Sequence, residues 1–160
     1  MKKIMCSITV ITASLFSVSS FANEKYDLKC TLDSGEEMML SHSSDSVFIG
    51  LAVSGRARVI KLDIPSGEVK QAVKYHDGKI TLFSVRGVNA NASTVVVSYY
   101  QDMKTFLGDN GAKHVYSDVM TFSYYDKNTG VNVENKCITD TIKVGNTLTE
   151  SGIPGISNIE

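Results

Sequence analysis

The sequence predicts an antiparallel all-β domain of about eight to ten short strands, closed as a barrel or stacked as a sandwich, with at most one short helix. Two observations predict it. Hydrophobic and polar residues alternate with a period of two through most of the chain, and turn residues interrupt the alternation about every ten residues. The 160 residues are 42% hydrophobic and 21% charged, with 16 Lys and Arg against 17 Asp and Glu. That composition supports one hydrophobic core and excludes a disordered, collagenous or basic nucleic-acid-binding chain.

Tyr26, Leu28, Cys30 and Leu32 share one face of a first strand, with Asp27 and Lys29 opposite, and Asp33-Ser34-Gly35 turns the chain. Glu37 to Leu40 is a short second strand, and Val47 to Val53 a third, nearly continuous in apolar residues. After Ser54-Gly55, Arg58, Ile60, Leu62 and Ile64 alternate with Val59, Lys61 and Asp63 until Pro65-Ser66-Gly67 stops the run. Val69, Gln71, Val73 and Tyr75 alternate next. Asp77-Gly78 then signals a tight hairpin, because glycine accepts the positive φ that such a turn needs, and Ile80 to Val85 returns.

Residues 86–94 read as a small, polar loop before Thr94 to Tyr100, the most strand-prone run in the chain. Met103, Phe106 and Leu107 stand at helical spacing with Gly108 as a C-cap, which predicts one short helix there. Asp109-Asn110-Gly111 is another turn. Val119 to Tyr125 and Val131 to Ile138 are strands joined by residues 126–130, with Val131, Val133 and Cys137 facing the interior. Ile142 and Val144 add a last strand.

The first 22 residues read as a secretory signal peptide: Lys2 and Lys3, an apolar stretch from Ile4 to Phe16, then small residues ending at Ala22. The apolar stretch is too short to span a bilayer. Cleavage after Ala22 leaves one domain over 23–148 and a loosely held tail over 149–160, with no membrane span. The mature chain carries 14 basic and 17 acidic side chains, a net charge of −3, which advertises no polyanion as partner. The expected location is periplasmic or secreted. There the two cysteines left, Cys30 and Cys137, read as one disulfide, since neither has a Cys or His close by for redox or metal work.

Chemistry-bearing patterns are sparse. His42, His76 and His114 are scattered, without a second ligand at metal spacing. The Ser-Gly pairs at 34, 54, 66 and 151 fall where turns are needed, and none forms a nucleophile elbow. Glu36, Glu37, Asp102 and Asp126 sit at strand edges and turns, where a carboxyl pKa is hard to raise. No glycine-rich turn precedes a helix to hold phosphate, and Arg56, Arg58 and Lys61 are too few to track nucleic acid. The pairs Tyr99-Tyr100 and Tyr124-Tyr125 each put one ring inward and one outward. The loop Ser54-Gly55-Arg56-Ala57-Arg58 presents two guanidinium groups near a turn, suited to a carboxylate-lined cleft or to guarding a strand edge.

Tyr26-x-x-x-Cys30 followed by Gly35, a β-rich body, a terminal cysteine partner and the stretch Tyr75 to Gly87 resemble the periplasmic and membrane-bound inhibitors of c-type lysozyme. The resemblance implies a small disulfide-closed antiparallel barrel that projects a Ser-Gly loop into the lysozyme cleft, followed by a basic residue. Ser66-Gly67 or Ser54-Gly55 would match the loop, and Lys79 or Arg86 the basic residue, with Tyr75 beside them. The functional expectation is therefore a non-enzymatic, cofactor-free binding protein whose partner is a protein or cell-envelope component, and a lysozyme inhibitor in its most concrete version. An immunity or envelope-stress protein that neutralises a toxin, and a small-ligand carrier in a β-barrel, are the alternatives.

Overall fold

The computed structural model of the chain describes residues 25–109, 111–148 and 152–159, so the signal peptide expected over residues 1–22 and its cleavage point lie outside the described residues. In chain order the strands are β1 (Leu28–Thr31), β2 (Glu37–His42), β3 (Ser46–Val53), β4 (Arg56–Asp63), β5 (Lys70–His76), β6 (Lys79–Val88), β7 (Thr94–Gly108), β8 (Gly111–Tyr125), β9 (Asn132–Lys136), β10 (Lys143–Val144) and β11 (Ser157–Asn158). They form two sheets, one ordered β10-β1-β2-β3-β4 and the other β11-β5-β6-β7-β8-β9. Every pairing is antiparallel except that of β11 with β5. Among the described residues helical structure is confined to single 3-10 turns at Ile64–Ser66, Thr139–Thr141 and Asn146–Leu148.

Period-two alternation builds the core. The first sheet turns Leu28, Cys30, Met38, Leu40, Val47, Ile49, Leu51 and Leu62 inward, and the second meets them with Phe83, Val85, Val95, Val97, Tyr99, Met120 and Phe122. Phe83 and Phe122 are fully buried, each stabilising by about 1.5–3 kcal/mol relative to exposure. The tight turns follow the residues that tolerate positive φ: Ser54 and Gly55 at 46° and 81°, Asp77 and Gly78 at 50° and 71°.

The sheets are joined at two corners. Beyond β9 the chain runs on into Cys137, which bridges Leu32 on one side and donates its N–H to the Met120 carbonyl at 2.8 Å on the other. The Ile138 N–H donates to Thr31 O at 2.9 Å, and the Asp33 N–H to Lys136 O at 2.7 Å. The Cys30–Cys137 disulfide closes the same corner, as the sequence predicts, with Cα atoms 5.8 Å apart. At the second corner Leu62 bridges Asn89. Gly87 makes room there, since a β-carbon on it would stand 3.0 Å from Leu62 Cδ1.

Three expectations are corrected. Met103 to Leu107 is strand, not helix: β7 and β8 pair without a break from Thr94↔Tyr125 to Gly108↔Gly111, and that ladder overrides a helical spacing carried by only three residues. Val131 and Val133 are exposed, because they lie at the outer edge of the second sheet, so of that trio only Cys137 packs against the core. The described part of the tail, 152–159, is docked and not loose. Ile153 and Ile156 are buried, and β11 runs along β5. Gln71, itself buried, donates to the carbonyls of Ile153 and Ile156 at 3.0 and 3.1 Å and accepts the Ile153 N–H at 2.9 Å. Gly152, at φ +76°, passes so close that a β-carbon would meet Gln71 Oε1 at 2.6 Å.

The disulfide closes a loop of 107 residues, so reducing it is expected to cost roughly 4 to 5 kcal/mol of stability from released chain entropy. Thermal melting of oxidised and reduced protein checks this; equal midpoints would show that the hydrogen-bonded corner holds without the covalent link.

Candidate functional site

The pairing partners of β7 and β8 run out before these strands do. The last β6–β7 pair is Leu82↔Tyr100, and the last β8–β9 pair is Thr121↔Lys136. Beyond those points, among the described residues, the two fifteen-residue strands pair only with each other, from Gln101↔Asp118 to Gly108↔Gly111. The result is a two-stranded arm about 25 Å long at 3.4 Å per residue, with both edges open.

A polar clasp marks the base of the arm. Tyr99, buried as the last core residue of β7, donates its hydroxyl to Asp118 Oδ1 at 3.0 Å, and Gln101 Nε2 donates to the same oxygen at 3.2 Å. Burial, then the neighbouring Asp118 charge, push the Tyr99 phenol well above the ordinary tyrosine range.

Outside the clasp large apolar side chains stand in solvent among polar ones. On the face that continues the core-facing rows of β7 and β8 stand Met103 opposite Tyr116, Thr105 opposite His114 and Leu107 opposite Ala112. On the other face stand Asp102 opposite Ser117, Lys104 opposite Val115 and Phe106 opposite Lys113. Met103, Phe106, Val115 and Tyr116 are exposed, and Leu107 is 88% exposed. Thr105 Oγ1 and His114 Nδ1 lie 3.0 Å apart and share a proton. An isolated two-stranded hairpin is marginally stable in water, and open edges invite pairing, so large apolar side chains on both faces mark a surface meant to be covered.

The residues singled out from the sequence do not converge on one place. Ser54 lies in the β3–β4 turn with Arg56 and Arg58 beside it on β4; both arginines are exposed, and Arg58 donates to Glu36 at 3.4 Å. Ser66 lies beyond the far end of β4, separated from Ser54 by its whole length, and its hydroxyl serves a turn: it donates to Asp63 O at 2.6 Å and accepts the Glu68 N–H at 3.2 Å. Tyr75 and Lys79 flank the β5–β6 turn, where the Tyr75 hydroxyl donates to the Leu148 carbonyl at 3.2 Å. Arg86 is exposed toward the other end of β6, opposite Lys70. The two basic candidates, Lys79 and Arg86, are therefore set apart by most of one strand.

His42 Nδ1 meets the buried Asp27 carboxylate at 2.7 Å, a pair the sequence reading passed over. Among the described residues no group of three or more His, Cys, Asp or Glu is placed to hold a metal ion, and no helix is long and apolar enough to cross a membrane. Comparison with protein-family models, curated proteins and solved structures gave no match.

Because Tyr99 holds its proton more tightly in the folded chain than in the unfolded one, its contribution to stability is complete below the unfolded value of about 10 and is lost as pH rises beyond it. Denaturant midpoints measured from about pH 8 to about pH 11 are expected to fall less steeply for Tyr99→Phe than for the parent; parallel curves would mean that the clasp does not titrate with folding.

Proposed function

We propose that this is an exported protein that works by non-covalent binding, not catalysis, and that the β7–β8 arm is the element that enters its partner. The observation that carries the reading is the overshoot of β7 and β8, which puts five large apolar side chains and two open strand edges into solvent. A covalently closed corner suits an oxidising compartment outside the cytoplasm. Core side chains of both sheets pack against each other between them, and binding is placed on the surface of the arm.

Insertion of a rigid projecting element into a partner's cleft is the mode of action that the resemblance to lysozyme inhibitors implies. The arm supplies such an element in a part of the chain that the resemblance does not cover. The partner class is a protein or cell-envelope component, with c-type lysozyme the first candidate. Apolar anchors at the end of a hairpin are suited to filling a pocket, and Lys104, Lys113 and His114 would meet acidic groups around its rim.

The test pairs the parent protein with a Phe106→Ser, Leu107→Ser variant, both oxidised. Both substitutions fall on exposed positions, so melting is expected to be unchanged within about 0.5 kcal/mol. Capture from an envelope extract should retain a partner with the parent and lose it with the variant. Equal capture would remove the arm from the binding reading. In a lysis assay with c-type lysozyme, inhibition by the parent alone would fix the target, and unchanged lysis at excess protein would remove lysozyme from the reading.

A further inference from the structure

We infer that the arm takes a second copy of this chain as its partner, the two arms pairing antiparallel along their open β7 edges about a two-fold axis through Thr105. The inference rests on the arm being the contact element, and in it a second copy takes the place that the reading above gives to an envelope partner.

The open edge comes first. Among the described residues no strand lies in register beside β7 from Gln101 to Gly108, although β6 itself extends back to Lys79. Backbone N–H and C=O groups along such an edge are satisfied by another strand, which a lipid surface or a small ligand does not provide. Seven residues, Asp102 to Gly108, make a ladder that is symmetric about Thr105.

The side chains then match. A two-fold axis perpendicular to the ribbon keeps opposed residues on one face, so Thr105 faces Thr105, Met103 faces Leu107, Lys104 faces Phe106 and Asp102 faces Gly108, each pair occurring twice. On the core-side face, the existing β7–β8 pairs extend this into two apolar rows, Tyr116-Met103-Leu107-Ala112, one on each side of the axis. Leu107, the most exposed of the large apolar residues, meets Met103, itself 52% exposed. The central row is polar but internally satisfied, with each Thr105 hydroxyl already joined to His114. On the opposite face each Lys104 ammonium approaches a Phe106 ring, a favourable cation–aromatic pairing.

The ends also fit. Gly108 of the second copy falls opposite Asp102, two residues short of Tyr100, where β6 takes over the edge, and it brings no side chain to that crowded point. The same operation on the β8 edge, centred on Val115, would set Ala112 against Asp118, whose carboxylate is held by Tyr99 and Gln101, and would leave Leu107 away from the new contact. The β7 edge is therefore the one that self-pairs.

The experiment measures mass by light scattering on protein expressed with its own leader, together with Thr105→Cys, Leu107→Cys and Thr105→Lys variants. The parent should show twice the chain mass. Directly opposed residues in such a ladder have Cα atoms about 5.5 Å apart, within disulfide reach, so Thr105→Cys should become covalently dimeric under air with copper phenanthroline. Leu107→Cys, opposed to Met103, should link many-fold less. Thr105→Lys should return the mass to one chain with the circular dichroism spectrum of the folded parent, and with a midpoint that no longer depends on protein concentration. A parent of single-chain mass across the accessible concentration range, or linking by Leu107→Cys as fast as by Thr105→Cys, would overturn the inference. If such a single-chain parent still captures an envelope partner that the Phe106→Ser, Leu107→Ser variant loses, the arm stands as a contact element and only the second copy is removed.

Discussion

A β-ladder ends where a partner strand ends or turns away, and that constraint shapes this molecule. β7 and β8 have fifteen residues each, whereas β9 has five and β6 leaves β7 after Leu82↔Tyr100 although it runs back to Lys79. The first half of β7 and the second half of β8 are therefore sheet, with both neighbours in place and side chains turned into a core. The rest has only itself. No turn residue or bulge stops the long strands where their neighbours stop. The period-two alternation that makes a buried row at Val95, Val97 and Tyr99 simply continues into Met103 and Leu107, where no opposing sheet lies above it. What is core at the base becomes exposed surface at the end.

Such a projection needs a base that does not yield. The body is closed at two corners, one by Leu62 and Asn89, the other by Leu32, Cys137 and the disulfide. The second corner lies close to the arm, since Cys137 hydrogen-bonds the Met120 carbonyl two residues from the Asp118 clasp. The C-terminal segment covers the β5 edge through Gln71, whose amide serves three backbone groups. The first device joins the two sheets and the second covers the start of the β5 edge, while β4 and β9 remain edge strands of the body. The arm differs from those edges in carrying large apolar side chains in solvent on both faces.

The body was legible in the sequence because burial on one face writes a period of two, and because Asp77-Gly78 and Ser54-Gly55 are turn pairs that tolerate positive φ. The pairing of Cys30 with Cys137 followed from reading the first 22 residues as a signal peptide and the remaining two cysteines as a pair in an oxidising compartment. The arm was not legible. Met103, Phe106 and Leu107 fit a helical spacing, and residues 111–118 lack the alternation of a half-buried strand because neither face of the arm is covered within one chain. One signal was available: strand-prone Thr105 and Val115-Tyr116 stand at nearly equal distances on either side of Asp109-Asn110, as in a long hairpin. The docking of the tail was hidden for another reason. It depends on one glutamine side chain meeting backbone groups more than eighty residues away, and no local pattern encodes that. The loop residues taken from the family resemblance fall into separate places on the body, so the resemblance supplies a mode of action and not a site.

The central claim is that the arm is built for contact and contributes little to the stability of the body. Replacing residues 103–116 by an Asn-Gly turn, which closes the ladder at Asp102 and Ser117, tests it most directly through the thermal midpoint of the oxidised protein. The claim predicts a cooperative transition within a few degrees of the parent, since no core side chain and neither corner is touched. Loss of the transition, or a fall comparable to that caused by breaking the disulfide, would show that the arm is part of what holds the fold together and would contradict the account.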